Sequence, residues 1–297
     1  MKINCCWLYA ISKYSYPPSL RDTFKVIEEI ANLGFENFEL EAVGEKNLNE
    51  IYNHKNEIRQ RCDNRGLKVI NLCPIFREVV SFNKKERRKS FDLYKKSVEL
   101  ANYFECHTIQ IDSYTPPLQF EGPAPYSNAV QFNQSYRIII DPAFDWQKQW
   151  NILVESISYC VSLADQAGLK FCLEPRVGEM ISNSDAILRL MDAVNNPNFG
   201  AVLDTGHLHA QKEILPLSVE KLGRKIFYVN VADNDGLRND HLPLGEGNID
   251  WEGVFISLKK YKFSQYVGID IGRIENLDEG MIRSKEFLEK LFKKMGI

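Results

Sequence analysis

Phe171-Cys-Leu-Glu174 is the first of four short apolar segments, in the second half of the chain, that end in a polar side chain. The other three are Ala201-Val-Leu-Asp204, Phe227-Tyr-Val-Asn230 and Val267-Gly-Ile-Asp270. Each has the composition of a buried strand, and burying an unpaired carboxylate in an apolar layer costs several kcal/mol. Three carboxylates and an amide at successive strand ends are best explained by a shared cation, so they form a candidate metal site.

The spacing of these segments predicts repeating βα units. Their polar residues recur at intervals of roughly 26 to 40 residues, which is the length of a strand, a helix and two loops. Eight strands are predicted at residues 3–9, 36–41, 67–73, 107–112, 169–174, 200–204, 226–231 and 266–271. Eight units in a chain of 297 residues predict a (β/α)8 TIM barrel that occupies residues 1–297 as a single domain.

Helical patterns lie between the predicted strands. One apolar face at the 3.6-residue period consists of Ile187, Leu190, Met191 and Val194. Three glycines each follow a helical run and precede a strand, where a left-handed C-terminal cap is needed; they are Gly34, Gly66 and Gly168. These features agree with alternating helices and strands.

Composition and charge narrow the class of protein. The net charge is −3, so a nucleic-acid partner is not expected, and the basic cluster at residues 84–89 also contains an acid and predicts a solvated helix face. Residues 3–9 are too short and too soon followed by polar residues for a signal peptide or a membrane span. We therefore expect a cytoplasmic protein with no membrane partner. The seven cysteines are odd in number and mostly fall in strands, so no disulfide framework is expected.

Four motifs in the second half of the chain support a family resemblance. They are Leu173-Glu-Pro-Arg176, Leu203-Asp-Thr-Gly-His207, Val229-Asn-Val-Ala-Asp-Asn234 and His241-Leu-Pro-Leu-Gly-Glu-Gly-Asn-Ile-Asp-Trp251. Together they resemble the sugar phosphate isomerase/epimerase group of the xylose isomerase-like TIM barrels, which includes ketose 3-epimerases and inosose dehydratase, with endonuclease IV as a distant relative. The match is dense from about residue 168 to 272 and only architectural before that.

The resemblance implies a divalent metal at the C-terminal mouth of the barrel. The metal ligands of the family fall on Glu174, Asp204 and Asp270, and Asn230 stands where many relatives have a histidine. An all-oxygen set of three carboxylates and an amide suits Mn²⁺ or Mg²⁺ better than Zn²⁺. The alternative is a barrel without metal, in which Asn230 and its neighbours hydrogen-bond one another.

The resemblance also implies a pair of catalytic carboxylates, Glu174 and Asp270. Sugar isomerases and epimerases remove a proton next to a carbonyl, which requires a Lewis acid and a carboxylate on each face of the substrate. Asp270 is one methylene shorter than the usual Glu, so its reach is about 1.5 Å less. An isomerisation, or a dehydration that relies mainly on one base, tolerates this change better than a symmetric epimerisation does.

Four further residues are candidate substrate-binding groups. Arg176 lies two residues after Glu174 and so on the same face of an extended backbone, where a guanidinium suits hydroxyls, carboxylate or phosphate. Glu179 and His207 resemble residues that the epimerases use for substrate, and His241 matches a metal-binding histidine of endonuclease IV. The rest of the endonuclease set is missing, since Gln110 and Asn239 occupy its positions.

The segment between the fourth strand and its helix, at about residues 113–146, is much longer than an ordinary βα loop. Its prolines and aromatic residues are Pro116, Pro117, Pro123, Pro125, Pro142, Tyr114, Phe120, Tyr126, Phe132, Tyr136, Phe144 and Trp146. Loops on this face build active sites, so a lid or substrate wall is expected, with a homo-oligomer contact or a passive insertion as the alternatives.

Two classes of function follow. The first is a metal-dependent isomerase or epimerase, or a related lyase such as an inosose or keto-sugar dehydratase, acting on a small sugar, a polyol ketone or a sugar phosphate. The second is a non-catalytic sugar-binding barrel that has lost its metal. In both classes the partner is a small-molecule sugar.

Overall fold

The computed structural model describes residues 1–122 and 136–297. Eight parallel strands close into a barrel, and neighbours in the sequence are neighbours in the sheet, with the first strand pairing to the last. We label them β1 Lys2–Cys5, β2 Asn37–Val43, β3 Lys68–Ile75, β4 Thr108–Asp112, β5 Lys170–Glu174, β6 Phe199–Asp204, β7 Ile226–Val231 and β8 Tyr266–Ile269. The prediction of a (β/α)8 TIM barrel is confirmed.

Helices separate the strands along the chain. The α-helices span Leu8–Lys13, Leu20–Asn32, Gly44–Asn53, Lys55–Arg65, Lys84–Tyr103, Trp146–Gln166, Ser184–Val194, Thr205–Ala210, Leu215–Leu222, Trp251–Lys260 and Leu277–Met295, with 3₁₀ turns at Arg77–Val80 and Gly223–Lys225. The three glycines predicted to cap helices have φ between 67° and 76°, the left-handed conformation that such caps require. In the predicted amphipathic helix, Ile187, Leu190 and Met191 are buried.

The prediction of a first strand at residues 3–9 is wrong at its C-terminal end. β1 ends at Cys5, and a short helix begins at Leu8. Its apolar residues Leu8 to Ile11 are as buried as those of a strand, so the run of apolar letters did not distinguish the two. The eighth strand ends at Ile269, so Asp270 lies one residue beyond it.

Strand register brings the predicted polar residues to one end of the barrel. Asp112 pairs with Glu174 across β4 and β5, and Asp204 pairs with Asn230 across β6 and β7. Asn230 is in turn level with Gly268, two residues before Asp270. Because all strands are parallel, their carboxyl ends form a single mouth.

The barrel interior changes from apolar to polar towards this mouth. An apolar layer contains Ile70, Cys172, Val202 and Tyr228. Towards the mouth, Asn71 is a hydrogen-bonding hub: its oxygen accepts from Thr108, and its nitrogen lies 2.7 Å from Glu39 Oε2 and 2.8 Å from Gln110 Oε1. A packed core thus supports a polar floor below the mouth.

The insertion after β4 contains a short strand on either side of residues 121–137. Gln119–Phe120 pairs antiparallel with Ile138–Ile139, and the next helix begins at Trp146. Four of its predicted features, Pro123, Pro125, Tyr126 and Phe132, lie outside the described residues.

Other expectations concern the cysteines and the membrane. All seven cysteines are free and buried, as expected for thiols that act as small apolar side chains. In the two described ranges, no helix is both long and apolar enough to cross a bilayer.

Candidate active site

The four predicted metal ligands lie together at the mouth of the barrel. Glu174, Asp204 and Asn230 are at most 5% exposed, and the side chain of Asp270 is 13% exposed. A cavity of about 40 Å³ contacts all of them except Asp204. It is lined by Leu8, Ile11, Glu39, Glu41, Gln110, Asp112, Glu174, Arg176, His207, Asn230, His241 and Asp270. This volume has room for an ion or a few water molecules but not for a sugar.

Glu174 is held by two neighbours. Asn230 Nδ2 donates a hydrogen bond of 2.8 Å to Glu174 Oε1, and Arg176 Nε lies 4.0 Å from Glu174 Oε2. Burial, followed by the charges of Asp204 and Asp112, raises the pKa of Glu174 well above its ordinary value. The carboxyl group is therefore enclosed, oriented and surrounded by like charge.

Asp204 caps a helix with one of its carboxylate oxygens. Its Oδ1 accepts the His207 N–H at 2.7 Å and so caps the helix Thr205–Ala210. Among the described residues its Oδ2 has no hydrogen-bond partner although it is buried. Burial and the charge of Asp270 raise the pKa of Asp204 to about 6, against the opposing charge of His241.

Asn230 is oriented with its nitrogen towards the carboxylates. While Nδ2 donates to Glu174, its Oδ1 accepts from the Cys6 thiol at 3.2 Å. Ligation of a metal through the amide oxygen would require this side chain to rotate. Asn230 as a metal ligand stays a prediction, and in the structure it positions Glu174.

His241 contacts Asp270. Its Nδ1 is 2.6 Å from the Asp270 carbonyl oxygen and 3.1 Å from the carboxylate Oδ2. Burial disfavours the charged imidazole, but the hydrogen bond to Asp270 and the charges of Asp270 and Asp204 outweigh it and raise the pKa of His241. His241 therefore orients the shorter of the two predicted catalytic carboxylates.

His207 lines the cavity as a neutral imidazole. Its Nδ1 accepts the Val177 N–H at 3.3 Å and lies 3.0 Å from Asn239 Nδ2. A nitrogen that accepts cannot carry the proton, so the proton is on Nε2. Burial, His241 and Arg176 lower the pKa of His207 well below its ordinary value. His207 is thus set up as a hydrogen-bond donor, in agreement with the predicted substrate role, which stays a prediction.

Arg176 and Glu179 join the loops after β4 and β5. Arg176 forms a buried ion pair with Asp112, and its backbone N–H donates to Ser113 Oγ at 3.2 Å. Glu179 does not line the cavity; its oxygens accept from Ser113 Oγ at 2.8 Å and Thr115 Oγ1 at 3.3 Å. Burial raises the pKa of Glu179 to about 7. Substrate binding by these two residues stays a prediction, and the contacts observed here are structural.

Three acidic residues of the cavity were not identified from the sequence. They are Glu39 and Glu41 on β2 and Asp112 at the end of β4. The signal was present, because Phe38-Glu-Leu-Glu41 also places carboxylates in a strand with an otherwise apolar composition. A search for carboxylates in apolar strand segments, which identified the candidate ligands in the second half of the chain, would also have identified Glu39 and Glu41 in the first half.

The donor chemistry fits a hard divalent cation. Glu174, Asp204 and Asp270 repel one another, and the bare Oδ2 of Asp204 is the kind of buried acceptor that a cation would satisfy. Over residues 1–122 and 136–297, no three His, Cys, Asp or Glu side chains are already arranged to hold a metal ion. Binding would therefore draw the carboxylates inward.

Curated proteins with similar sequences include sugar epimerases and isomerases. The chain is 22% identical to fructoselysine 3-epimerase of Escherichia coli O157:H7 over 48% of its length and 52% of the relative's. It is 27% identical to inosose isomerase of Bacillus subtilis (strain 168) over 41% of this chain and 47% of that protein. The chain thus spans about half the length of each of these two enzymes. Uncharacterized protein MJ1614 of Methanocaldococcus jannaschii is 23% identical over 91% of this chain and 94% of that protein.

Solved structures show the same fold over the whole chain. D-psicose 3-epimerase from Clostridium cellulolyticum H10 superposes with a TM-score of 0.75 at 18% identity, covering 98% of this chain and 99% of the other. The probable 3-DHS dehydratase AsbF from Bacillus anthracis superposes with a TM-score of 0.71 at 15% identity, covering 97% and 99%. The family model for the xylose isomerase-like TIM barrel matches residues 27–291. The chain therefore belongs to the xylose isomerase-like TIM barrel family.

Proposed function

We propose that this protein is a metal-dependent isomerase or epimerase of a small sugar, a polyol ketone or a sugar phosphate. The observation that carries the proposal is the placement of Glu174 and Asp270 on one small cavity, next to the buried carboxylate of Asp204. Two enclosed carboxylates that face the same space are what proton removal and return at a carbon next to a carbonyl require. The names of the curated relatives, an epimerase and an isomerase of sugars, agree with this chemistry.

Each residue of the site has a defined part in the proposed reaction. Glu174, held by Asn230, takes the proton from the substrate carbon, and Asp270, held by His241, faces the same space as the second carboxylate. His207 donates from Nε2 to a substrate oxygen. Glu174, Asp204 and Asp270, with Asn230 after rotation of its amide, would hold Mn²⁺ or Mg²⁺. When bound, the ion supplies a Lewis acid that polarises the carbonyl.

The site in the structure is smaller than a sugar. Leu8 and Ile11 of the first helix line the cavity with apolar side chains. Because the cavity holds about 40 Å³, a sugar can enter only if the cavity widens. Apolar side chains that then close around the substrate would protect a reactive enediolate from solvent.

A second candidate function is a lyase, such as an inosose or keto-sugar dehydratase. Asp270 is short and is fixed by its contact with His241, so Glu174 has the longer reach of the two carboxylates. A reaction that relies on one base suits this arrangement better than a symmetric exchange between two bases. A non-catalytic sugar-binding barrel is the third reading, and it predicts binding without proton exchange.

The test is solvent proton exchange. Protein supplied with Mn²⁺ is incubated in D₂O with ketoses and inososes, and deuterium at the carbon next to the carbonyl is measured by NMR. We expect exchange by the wild type and a loss of about 10²- to 10⁴-fold in Glu174→Gln. Glu36→Gln is the matched control, because Glu36 is exposed at the far end of β2. Full exchange by Glu174→Gln would place the base elsewhere, whereas elimination of water with the same dependence on Glu174 would identify the lyase.

The metal preference is tested separately by equilibrium dialysis. We expect Mn²⁺ and Mg²⁺ to bind in preference to Zn²⁺, and Asn230→His to shift the preference towards Zn²⁺ because it restores an imidazole ligand. Preferential binding of Zn²⁺ by the wild type would contradict the proposed ligand set.

A further inference from the structure

Glu41 is a buried carboxylate in the cavity that the proposed reaction does not use. It lies on β2, level with Cys73 of β3, and its side chain lines the cavity. Its Oε2 is buried and makes no hydrogen bond with any residue that the structure describes. A buried carboxyl oxygen without a partner costs free energy, so a ligand that satisfies it is expected.

The neighbouring acids differ from Glu41 because each has a partner. Asn71 donates to Glu39 at 2.7 Å, and Arg176 forms an ion pair with Asp112. Burial and then the charges of Asp112 and Glu39 raise the pKa of Glu41 well above its ordinary value. Of these three missed acids, Glu41 is the one with a buried oxygen that makes no hydrogen bond in the part of the chain that the structure describes.

The charges of the cavity indicate what the missing partner is. Its lining contains Arg176 as the sole lysine or arginine, against the acids Glu39, Glu41, Asp112, Glu174 and Asp270. A divalent metal held by Glu174, Asp204 and Asp270 would offset charge on the β5–β8 side but not on the β2 side. Sugar hydroxyls can donate hydrogen bonds there but cannot neutralise a carboxylate.

On this basis we propose that Glu41 binds a protonated amine of the substrate, so that the substrate class is amino-substituted ketoses. The inference rests on the proposed function for the carbonyl chemistry at Glu174. Glu41 and Glu174 line one cavity of about 40 Å³, so the amine must lie within a few bonds of the carbonyl. An ammonium group provides both the charge and the N–H donors that Oε2 lacks.

The test compares three ketoses by isothermal titration calorimetry with Mn²⁺-supplied protein. They are D-fructose, D-fructosamine with the amine on the carbon next to the carbonyl, and the isomer with the amine on the carbon farthest from it. We expect the wild type to bind D-fructosamine at least about tenfold more tightly than the other two. Glu41→Gln should bind all three equally, Glu41→Asp should keep part of the preference, and Glu36→Gln should keep all of it.

Equal affinity of the wild type for the three sugars would overturn the proposal and leave Glu41 as an acceptor for hydroxyls. A preference that survives in Glu41→Gln would also overturn it, because the amine would then bind elsewhere. The melting temperature checks for a structural role. Glu41→Gln removes a buried charge without breaking a described hydrogen bond, so it should melt no lower than the wild type, and a lower value together with lost binding would count against the proposal.

The experiments distinguish a failure of the amine site at Glu41 from a failure of the proposed isomerase or epimerase function. Deuterium exchange into D-fructose without any preference for the amine would support the isomerase chemistry and overturn the role of Glu41. A preference for D-fructosamine that depends on Glu41, without exchange into any of the sugars, would support the amine site and overturn the proposed function.

Discussion

The two sides of the barrel mouth contain similar numbers of acids but are stabilised in opposite ways. We call Glu39, Asn71, Thr108, Gln110 and Asp112, on β2 to β4, the hydrogen-bonded wall, which does not include the unsatisfied Glu41. Glu174, Asp204 and Asp270, on β5 to β8, form the repulsive wall. On the first, Asn71 and Arg176 satisfy the carboxylates. On the second, neighbouring carboxylates raise the pKa of Glu174 and of Asp204, and one oxygen of Asp204 has no partner among the described residues.

This difference separates the scaffold from the proposed reaction centre. A satisfied polar network is rigid, and removing any member leaves buried groups without partners. A cluster of like charges is unfavourable by itself and becomes favourable when a cation or substrate enters. Substitutions on the two walls should therefore change stability with opposite signs.

The largest effect is expected for Asn71→Ala in the hydrogen-bonded wall. This change removes the group that accepts from Thr108 and contacts both Glu39 and Gln110, and leaves three buried groups unsatisfied. At about 1–3 kcal/mol for each, with partial relaxation, we expect a loss of about 3–5 kcal/mol, measured by urea unfolding. Asn102→Ala, at an exposed helical position, is the control and should change stability by less than about 0.5 kcal/mol. A loss below about 1 kcal/mol in Asn71→Ala would show that the wall is not a cooperative network.

A second effect concerns Glu179, which ties the loop after β5 to the loop after β4. Its pKa in the folded protein is about 7, above the ordinary 4.5, so between these values the folded state binds more protons than the unfolded state. Stability should therefore fall as pH rises from about 4.5 to about 7, by on the order of 2–3 kcal/mol.

Glu179→Gln should remove this slope, while its amide oxygen accepts from one of the Ser113 and Thr115 hydroxyls and its amide nitrogen donates to the other. The variant should gain little near pH 4 and most near pH 8, as measured by denaturant unfolding across the range. Glu36→Gln is the control and should run parallel to the wild type. Parallel curves for Glu179→Gln as well would show that the carboxylate is solvated in the folded protein.

The third prediction tests the repulsive wall with Asp204→Asn. Asparagine can still cap the helix through His207 but carries no charge, so the metal-free protein should become more stable by about 1–2 kcal/mol. The stabilisation of the wild type by saturating Mn²⁺, about 2.7 kcal/mol at one hundred times Kd, should be lost. Asp250→Asn is the matched control, because Asp250 caps the helix Trp251–Lys260 in the same way at an exposed position. A destabilised Asp204→Asn protein would show that the two walls are not opposed.

The smallest effect is expected from shortening the insertion next to the hydrogen-bonded wall. Phe120 pairs with Ile138, so residues 121–137 can be replaced by Asn-Gly, which forms a two-residue hairpin turn. If the insertion is a lid, the barrel should fold and bind Mn²⁺ while kcat/KM falls about tenfold or more, or about 1.4 kcal/mol. Exchange kinetics and equilibrium dialysis measure the two properties. Unchanged kcat/KM with lost self-association in analytical ultracentrifugation would assign the insertion to an oligomer contact.

The amino-acid sequence by itself determined the barrel and half of its mouth. The sequence contains local patterns that can be recognised without a structure. They are the strand periodicity, the cap glycines and the carboxylates at Glu174, Asp204 and Asp270. Parallel pairing then requires that the strand ends meet, which is why the grouping of these residues followed from their positions alone.

Tertiary structure alone decided the partners of those residues. Three contacts depend on side-chain orientations across neighbouring strands and loops. They are the ion pair of Arg176 with Asp112, the hydrogen bond from the Asn230 nitrogen to Glu174, and the contact of Glu179 with Ser113. Glu41 reaches the same cavity as Glu174 because the barrel closes, although the two lie far apart in the sequence. Sequence patterns specify which face of a strand is buried, whereas hydrogen-bond partners are selected only when the closed barrel brings distant strands within a few ångströms of each other.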